Sequence, residues 1–281
     1  MKRVAVIGLG IMGHGIADNF LKNRYVVFVW NRTKDKTKDL VNNGATLSSS
    51  PAEAANNAEI VFEVTANDES SRKVWTGDLG ILKSADASKT LVTCATLSIR
   101  WTDELAKICK GKKLNFFDMP MTGGRIGAET GQLTLLAGGN KTGLDAVSGD
   151  LKAIAKEIKY FGPAGSGMRY KLVLNMLQAI HIAGLGEALK IAKYSGLDEK
   201  IVGNALSERP GGTTTNLAWR DYQKKPDPIN FSVEWIAKDL KYAREMAREI
   251  SHPLLDNVLD QYERAIKKGF GQADWTKINK L

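Results

Sequence analysis

The periodicity of the chain changes near residue 163. Before that point, short runs of β-branched and aromatic residues alternate with stretches whose apolar residues recur every three or four positions; beyond it only the helical period persists. Residues 2–7, KRVAVI, predict a strand. GLGIMG follows at once, then the helical HGIADNFLKN, then a second strand in YVVFVWNRT. AEIVFEVT (58–65), KTLVTCAT (89–96) and KLNFFDMP (113–120) predict further strands, with helices starting at NDESSRKVW and SIRWTDELAKICK between them. From 168 to 194 the helical spacing runs far beyond an ordinary helix. DEKIVGNALSE, TTTNLAWRDYQ, FSVEWIAKDLKYAREMAREI and PLLDNVLDQYERAIKKG follow, separated by turn-forming clusters such as ERPGG and KKPDP. The pattern predicts an α/β nucleotide-binding domain over 1–163 with a parallel sheet, and an all-α domain over 164–281, the two connected by the long helix.

The first strand–turn–helix carries chemistry. Gly8, Gly10 and Gly13 of GLGIMG, with Leu9, Ile11 and Met12 between them, lie between a strand and a helix, and a second strand follows. In such a turn the first glycine permits the tight bend, the second lets the backbone approach a pyrophosphate, and the third lets helix and strand pack closely. The helix then presents free N–H groups to the phosphates. The second strand ends at Asn31, Arg32 and Thr33. An acidic side chain here would hold the ribose 2′-hydroxyl of NAD; a neutral residue followed by a guanidinium suits the 2′-phosphate of NADP. NADP(H) is therefore the expected cofactor, with NAD(H) possible if Arg32 merely stacks on adenine. Thr65, Asn67 and Thr96 stand at strand ends, where they either line the cofactor crevice or cap helices and turns.

Composition adds bounds. The chain has 281 residues, 43% hydrophobic and 25% charged, as in globular proteins. The basic, apolar N-terminus imitates a signal peptide, but glycines, His14 and Asp18 interrupt it, so a strand and turn are expected. No uninterrupted run of 18 apolar residues occurs, and no membrane partner is expected. The net charge of +9 is spread evenly: 22 basic and 17 acidic residues up to 163, then 18 and 14. A nucleic-acid partner is not expected, because no long basic run exists and RTKDKTKDL alternates sign like a solvated helix face. Cys94 and Cys109 make no disulfide framework, which fits a reducing, cytoplasmic setting. His14, His181 and His252 are scattered, and no metal site is expected.

Three further stretches, DMPMTGGRIGAETGQLTLLAGG (118–139), GPAGSGMRYKLVLNM (162–176) and WIAKDLKYA (235–243), together with GLGIMGHGIADNFLKN, resemble the β-hydroxyacid dehydrogenase family over almost the whole chain and in family order. The resemblance implies a Rossmann-type domain, a long helix leading into a helical domain, an active site in the cleft between them, and a homodimer or homotetramer. The family's catalytic lysine falls on Lys171 and its companion asparagine on Asn175. Its substrate-carboxylate motif falls on Thr122, Gly123 and Gly124, with Thr122 where serine is usual. Its nicotinamide-side lysine falls on Lys238, followed by Asp239 beside the substrate, and a pocket phenylalanine on Phe231. TCATLSI departs from the family's D-x-S-T-x-x-P: Ala95 stands at the second hydroxyl position, and Thr96 matches the retained threonine. GQL and NRT resemble the NADPH-using glyoxylate/succinic semialdehyde reductase branch.

Taken alone, Lys171 reads either as a lysine snorkelling from an amphipathic helix or as a group whose ammonium stabilises and protonates a carbonyl oxygen. The surrounding motifs favour the second reading. Three functions remain open: an NADP(H)-dependent reductase of a short semialdehyde or 2-oxo acid; an NAD-dependent 3-hydroxyisobutyrate dehydrogenase; and a non-catalytic dehydrogenase-like binding module. Arg125 stands either as a second anion contact or as a solvent-facing loop residue.

Overall fold

The computed structural model describes residues 1–208, 213–224 and 226–281. The expected breaks at ERPGG and KKPDP fall partly on 209–212 and 225, outside the described residues. The chain divides into two compact units, Met1–Lys171 and Leu172–Leu281.

The first unit is built on one nine-stranded sheet: β1 (Arg3–Ile7), β2 (Val26–Trp30), β3 (Thr46–Leu47), β4 (Ile60–Glu63), β5 (Thr90–Thr93), β6 (Asn115–Asp118), β7 (Met121–Thr122), β8 (Leu133–Gly138) and β9 (Ala155–Gly162). The strand order β3-β2-β1-β4-β5-β6 is all parallel and is the order of a doubly wound dinucleotide-binding fold. Seven helices connect the strands: α1 (Ile11–Lys22), α2 (Lys38–Asn42), α3 (Pro51–Asn56), α4 (Asp68–Thr76), α5 (Ile99–Gly111), α6 (Gly124–Glu129) and α7 (Lys141–Leu151). Both faces of the sheet are covered. Along β1, Val4 and Val6 join one core with Phe20, Phe62 and Phe117, while Ala5 and Ile7 join the other with Trp75, Leu91 and Trp101. This is the period-2 alternation of a strand buried on both sides, and it explains why these strands read as continuous apolar runs.

The expected strands and helices of the first 118 residues are present with trimmed ends. Beyond them the sheet continues in a way the sequence pattern did not anticipate. β8 runs antiparallel to β6 and β7, and β9 lies parallel to β8 at the edge. The segment after RT, expected as one solvated helix, divides into a 3-10 turn (Lys34–Thr37) and α2, because lysines and aspartates leave few apolar residues to bury.

The second unit is helical: most of α8 (Ser166–Tyr194), then α9 (Glu199–Glu208), α10 (Thr213–Gln223), α11 (Val233–Met246) and α12 (Pro253–Lys267), ending in a 3-10 turn, Trp275–Lys280. α12 buries Leu255, Val258, Leu259, Tyr262 and Ala265, one face at helical spacing. A Cβ at Gly203 would lie 2.3 Å from the Trp219 ring, so glycine is what lets α9 and α10 approach. Asn279 donates to the Ile182 carbonyl and pins the C-terminal turn to α8. By length and composition alone α8 could cross a membrane; its most apolar 18-residue window has mean hydropathy 1.4 and is 39% buried within the protein.

Candidate active site

The glycine turn after β1 has the geometry its sequence predicts. Gly8 has φ +100°, and a Cβ there would meet the Val64 carbonyl oxygen at 2.5 Å. A Cβ at Gly13 would lie 1.9 Å from the Gly8 carbonyl oxygen, so only glycine lets α1 start this close to β1. A Cβ at Gly10 would meet nothing within 4 Å, so packing within the chain does not require glycine there. Gly10 is also the N-cap of α1 and supplies no side-chain cap, and the first turn carries no acidic residue. The N–H groups of that turn and the open space at Gly10 fit a dinucleotide phosphate. Leu9 is buried, and Ile11 and Met12 are half-buried on α1.

Asn31, at the end of β2, is tied to this turn: its Oδ1 accepts from Leu9 N–H at 2.9 Å and its Nδ2 donates to the Thr33 carbonyl at 2.8 Å. It braces the glycine turn against the loop that carries Arg32 and Thr33, both exposed. At the end of β4, the Thr65 N–H and hydroxyl both donate to Glu63, and Thr93 of β5 donates its hydroxyl to the other carboxylate oxygen at 2.5 Å. Glu63 is fully buried; burial raises its pKa, and the bonds from Thr65 and Thr93 counter that rise. Asn67 makes a capping box with Ser70 at the start of α4. Thr96 is half-buried past the end of β5. Cys94, beside Glu63, is buried and its thiol pKa is raised by burial, which leaves no nucleophilic thiolate.

Thr122 ends β7, paired with Thr134, and Gly123 and Gly124 turn the chain into α6 with φ of +122° and +59°. All three reach the surface, and a Cβ at Gly124 would meet nothing within 4 Å. Asn19 of α1 donates through Nδ2 to the carbonyls of Ala128 (2.7 Å) and Glu129, and a Cβ at Gly15 would strike the Ala128 carbonyl at 2.6 Å. The end of α6, the helix that follows the TGG loop, is therefore held against the glycine-turn helix, a juxtaposition of residues more than 100 positions apart. Arg125 donates to Glu129 one turn along α6 at 2.5 Å.

Two positioning groups were absent from the sequence reading. Glu63 is one. Asp118 is the other: its carboxylate accepts from the N–H groups of Gly165 (2.6 Å) and Met168 (2.7 Å) and so caps the start of α8, the helix that carries Lys171. Burial pushes Asp118 up to about 6, against the opposing pull of these two N–H groups. A Cβ at Gly167 would lie 2.0 Å from the Leu136 carbonyl oxygen, so the helix starts flush against β8. A carboxylate inside an otherwise apolar strand was the available signal for both residues. Lys171 is half-buried.

In the second unit, Asn175 of α8 donates through Nδ2 to Asp239 Oδ2 at 2.6 Å, and Lys238 Nζ lies 2.8 Å from Asp239 Oδ1 as an ion pair. Three residues named from the sequence thus form one cluster. Phe231 is packed edge-on against Trp235 and Trp275, at ring distances of 5.8 and 5.5 Å.

Residues 3–162 match the family model described as the NAD binding domain of 6-phosphogluconate dehydrogenase, and residues 165–281 the one described as NAD-binding of NADP-dependent 3-hydroxyisobutyrate dehydrogenase. Mitochondrial 3-hydroxyisobutyrate dehydrogenase of Rattus norvegicus is 30% identical over 285 residues, covering 98% of this chain and 85% of the relative. Among solved structures, a Mycobacterium tuberculosis 3-hydroxyisobutyrate dehydrogenase with L-serine superposes with TM-score 0.87 at 23% identity, covering 100% of this chain and 98% of that one. Psf3 in complex with NADP+ and 2-OPP superposes with TM-score 0.89 at 22% identity, covering 99% of each chain. The fold, the glycine turn and these matches define an oxidoreductase with a nicotinamide cofactor, an NAD(P)-dependent hydroxyacid dehydrogenase. Within that class, the chain belongs to the β-hydroxyacid dehydrogenase family.

Proposed function

We propose that this enzyme is an NADP(H)-dependent reductase that converts a short semialdehyde or 2-oxo acid, of the succinic semialdehyde or glyoxylate type, to the hydroxyacid, with Lys171 as proton donor. The observation that carries the cofactor choice is the end of β2. Asn31 there is neutral and braces the glycine turn, and the exposed Arg32 and Thr33 follow it, so none of the three is a carboxylate that would repel a 2′-phosphate. The turn residues Gly8 to Gly13, with Thr65, Thr96 and Lys238, would hold the cofactor, which supplies the hydride when bound.

The chain's own residues do the rest. The Thr122 hydroxyl and the N–H groups of Gly123 and Gly124 bind the substrate carboxylate, where glycine permits close approach. Phe231 borders the substrate. Lys171 stabilises the growing negative charge on the carbonyl oxygen and gives it a proton; in the oxidative direction it takes the proton back. Asn175, four residues along the same helical face, orients the reacting group.

The test is NADPH consumption with succinic semialdehyde and with glyoxylate. Lys171→Ala should lower kcat by about 10²- to 10⁴-fold while NADPH binding, read by fluorescence titration, persists. Normal turnover in that variant sinks the role. The name of the rat relative favours a second reading, oxidation of 3-hydroxyisobutyrate with NAD, which a kinetic preference for NAD over NADP would support. Cofactor binding without turnover on any aldehyde or hydroxyacid would point to a binding module instead. The remaining parts of the proposal are a cytoplasmic location, in keeping with two buried free cysteines, no nucleic-acid or membrane partner, and a homodimer or homotetramer.

A further inference from the structure

We infer that Asp239 is a positioning residue: its buried carboxylate fixes which way the Asn175 carboxamide points and holds Lys238 on its other oxygen, so that one group sets both the substrate-side amide and the cofactor-side lysine. The inference rests on the roles proposed above for Asn175 and Lys238 and deepens them. It departs from the expectation that Asp239 contacts the substrate.

The geometry carries it. Asp239 is 1% exposed. Its Oδ2 accepts from Asn175 Nδ2 at 2.6 Å, and its Oδ1 faces the Lys238 ammonium at 2.8 Å. Oδ2 is thus taken by a hydrogen bond, while Oδ1, which accepts no hydrogen bond from the described residues, is held by its ion pair with Lys238. A substrate that bears a carboxylate is repelled by the Asp239 carboxylate.

The orientation of Asn175 follows from donor and acceptor chemistry. A carboxylate only accepts, so the amide must turn Nδ2 toward Asp239. Oδ1 then becomes the atom that Asn175 offers on its other side. An acceptor pairs with an ammonium N–H or with an alcohol O–H, and is repelled by an oxyanion. Lys171 stands four positions earlier on α8, where side chains share a face. Asn175 is thereby assigned to hold the ammonium of Lys171 and the hydroxyl of the hydroxyacid, leaving oxyanion stabilisation to the lysine. The buried Asp239 carboxylate has in turn a nearby cation in Lys238, as a buried charge requires. Its cost of burial is thus offset within the cluster rather than by ligand.

Two measurements test the inference. In steady-state kinetics with NADPH and the best aldehyde, Asp239→Asn should lower kcat about ten- to a hundred-fold, the scale of one charge-assisted hydrogen bond. The neutral amide that this substitution introduces permits Asn175 to flip and present its N–H groups instead. Adding Asn175→Ala to Asp239→Asn should cost little more, because the two act through one contact. The exchange variant Asp239→Asn/Asn175→Asp restores an outward acceptor oxygen and should regain at least ten-fold in kcat over Asp239→Asn. A rise in KM for the aldehyde with unchanged kcat would instead mark Asp239 as a direct substrate contact and overturn the inference. So would a folded exchange variant as impaired as Asn175→Ala, which also decides the matter if Asp239→Asn alone does not fold.

The second measurement needs no turnover. The Asn175 side-chain amide, assigned in the NMR spectrum by its loss in Asn175→Ala, should exchange slowly with solvent and lose that protection in Asp239→Asn. Unchanged protection overturns the inference. If the enzyme proves to use NAD and a hydroxyacid instead, or shows no turnover at all, the functional reading fails while this readout still decides the role of Asp239.

Discussion

At the scale of single residues, the three glycines of one motif have three separable reasons to be glycine. The Gly13 Cβ would sit 1.9 Å from backbone oxygen, a clash that no side-chain movement relieves. Gly13→Ala should therefore destabilise the protein by about 2 kcal/mol or more, read by urea unfolding. Gly10 faces open space, so Gly10→Ala should change unfolding stability by no more than about 1 kcal/mol while raising the dissociation constant for the cofactor. Equal destabilisation by both variants would refute the division of roles. The motif's spacing was legible because each reason is local to a strand–turn–helix. Glu63 was not legible. It stands in an apolar strand, and its value comes from Thr65, two residues on, and from Thr93, thirty residues away on β5.

At the scale of elements, the start of α8 depends on Asp118, at the end of β6. The raised pKa of Asp118 has a definite sign. A carboxyl whose folded value, about 6, exceeds its ordinary 3.8 contributes stability that is fully present below 3.8 and is lost as pH rises through about 6. Glu63, raised by burial, has the same sign. Asp118→Asn should therefore flatten the fall in stability between about pH 4 and 6, read as Tm against pH, and leave the contribution of Glu63 in place. An unchanged slope would mean that Asp118 is not the titrating group. The element boundaries read from the sequence are accurate where a cap or glycine marks them, as at Asn67 and Ser98, whose side chains accept from the N–H groups of Ser70 and Trp101. They fail for β7, a two-residue strand, and for β8, whose uniformly buried residues carry no alternation to reveal them.

At the scale of the whole molecule, α8 leaves apolar side chains in solvent: Val173 and Leu177 are each 45% exposed, Ile191 59% and Tyr194 94%. Spaced along one helix, such residues call for a covering surface. With the proposed homo-oligomer, a second copy covers them, and light scattering should give a mass of at least two chains. Leu177→Glu with Ile191→Glu should then shift that mass to one chain; an unchanged multimer would place the interface elsewhere.

The sequence by itself determined the strand–helix alternation, the glycine turn, the neutral and cationic end of β2, and the motifs on which Lys171, Asn175, Thr122 and Lys238 were named. The alternation and the turn depend on spacing within a few tens of residues, where backbone geometry and periodicity leave little choice, whereas those four residues were named through the resemblance of their motifs to the family. Only the tertiary structure decided that Asn31 braces the glycine turn, that Asn19 docks the end of α6 on α1, that Asp118 caps α8, and that Asn175 and Asp239, 64 residues apart, share a buried hydrogen bond. Such pairings are set by which distant polar groups burial forces together: each must find a partner once water is excluded, and no local pattern records which partner packing will supply.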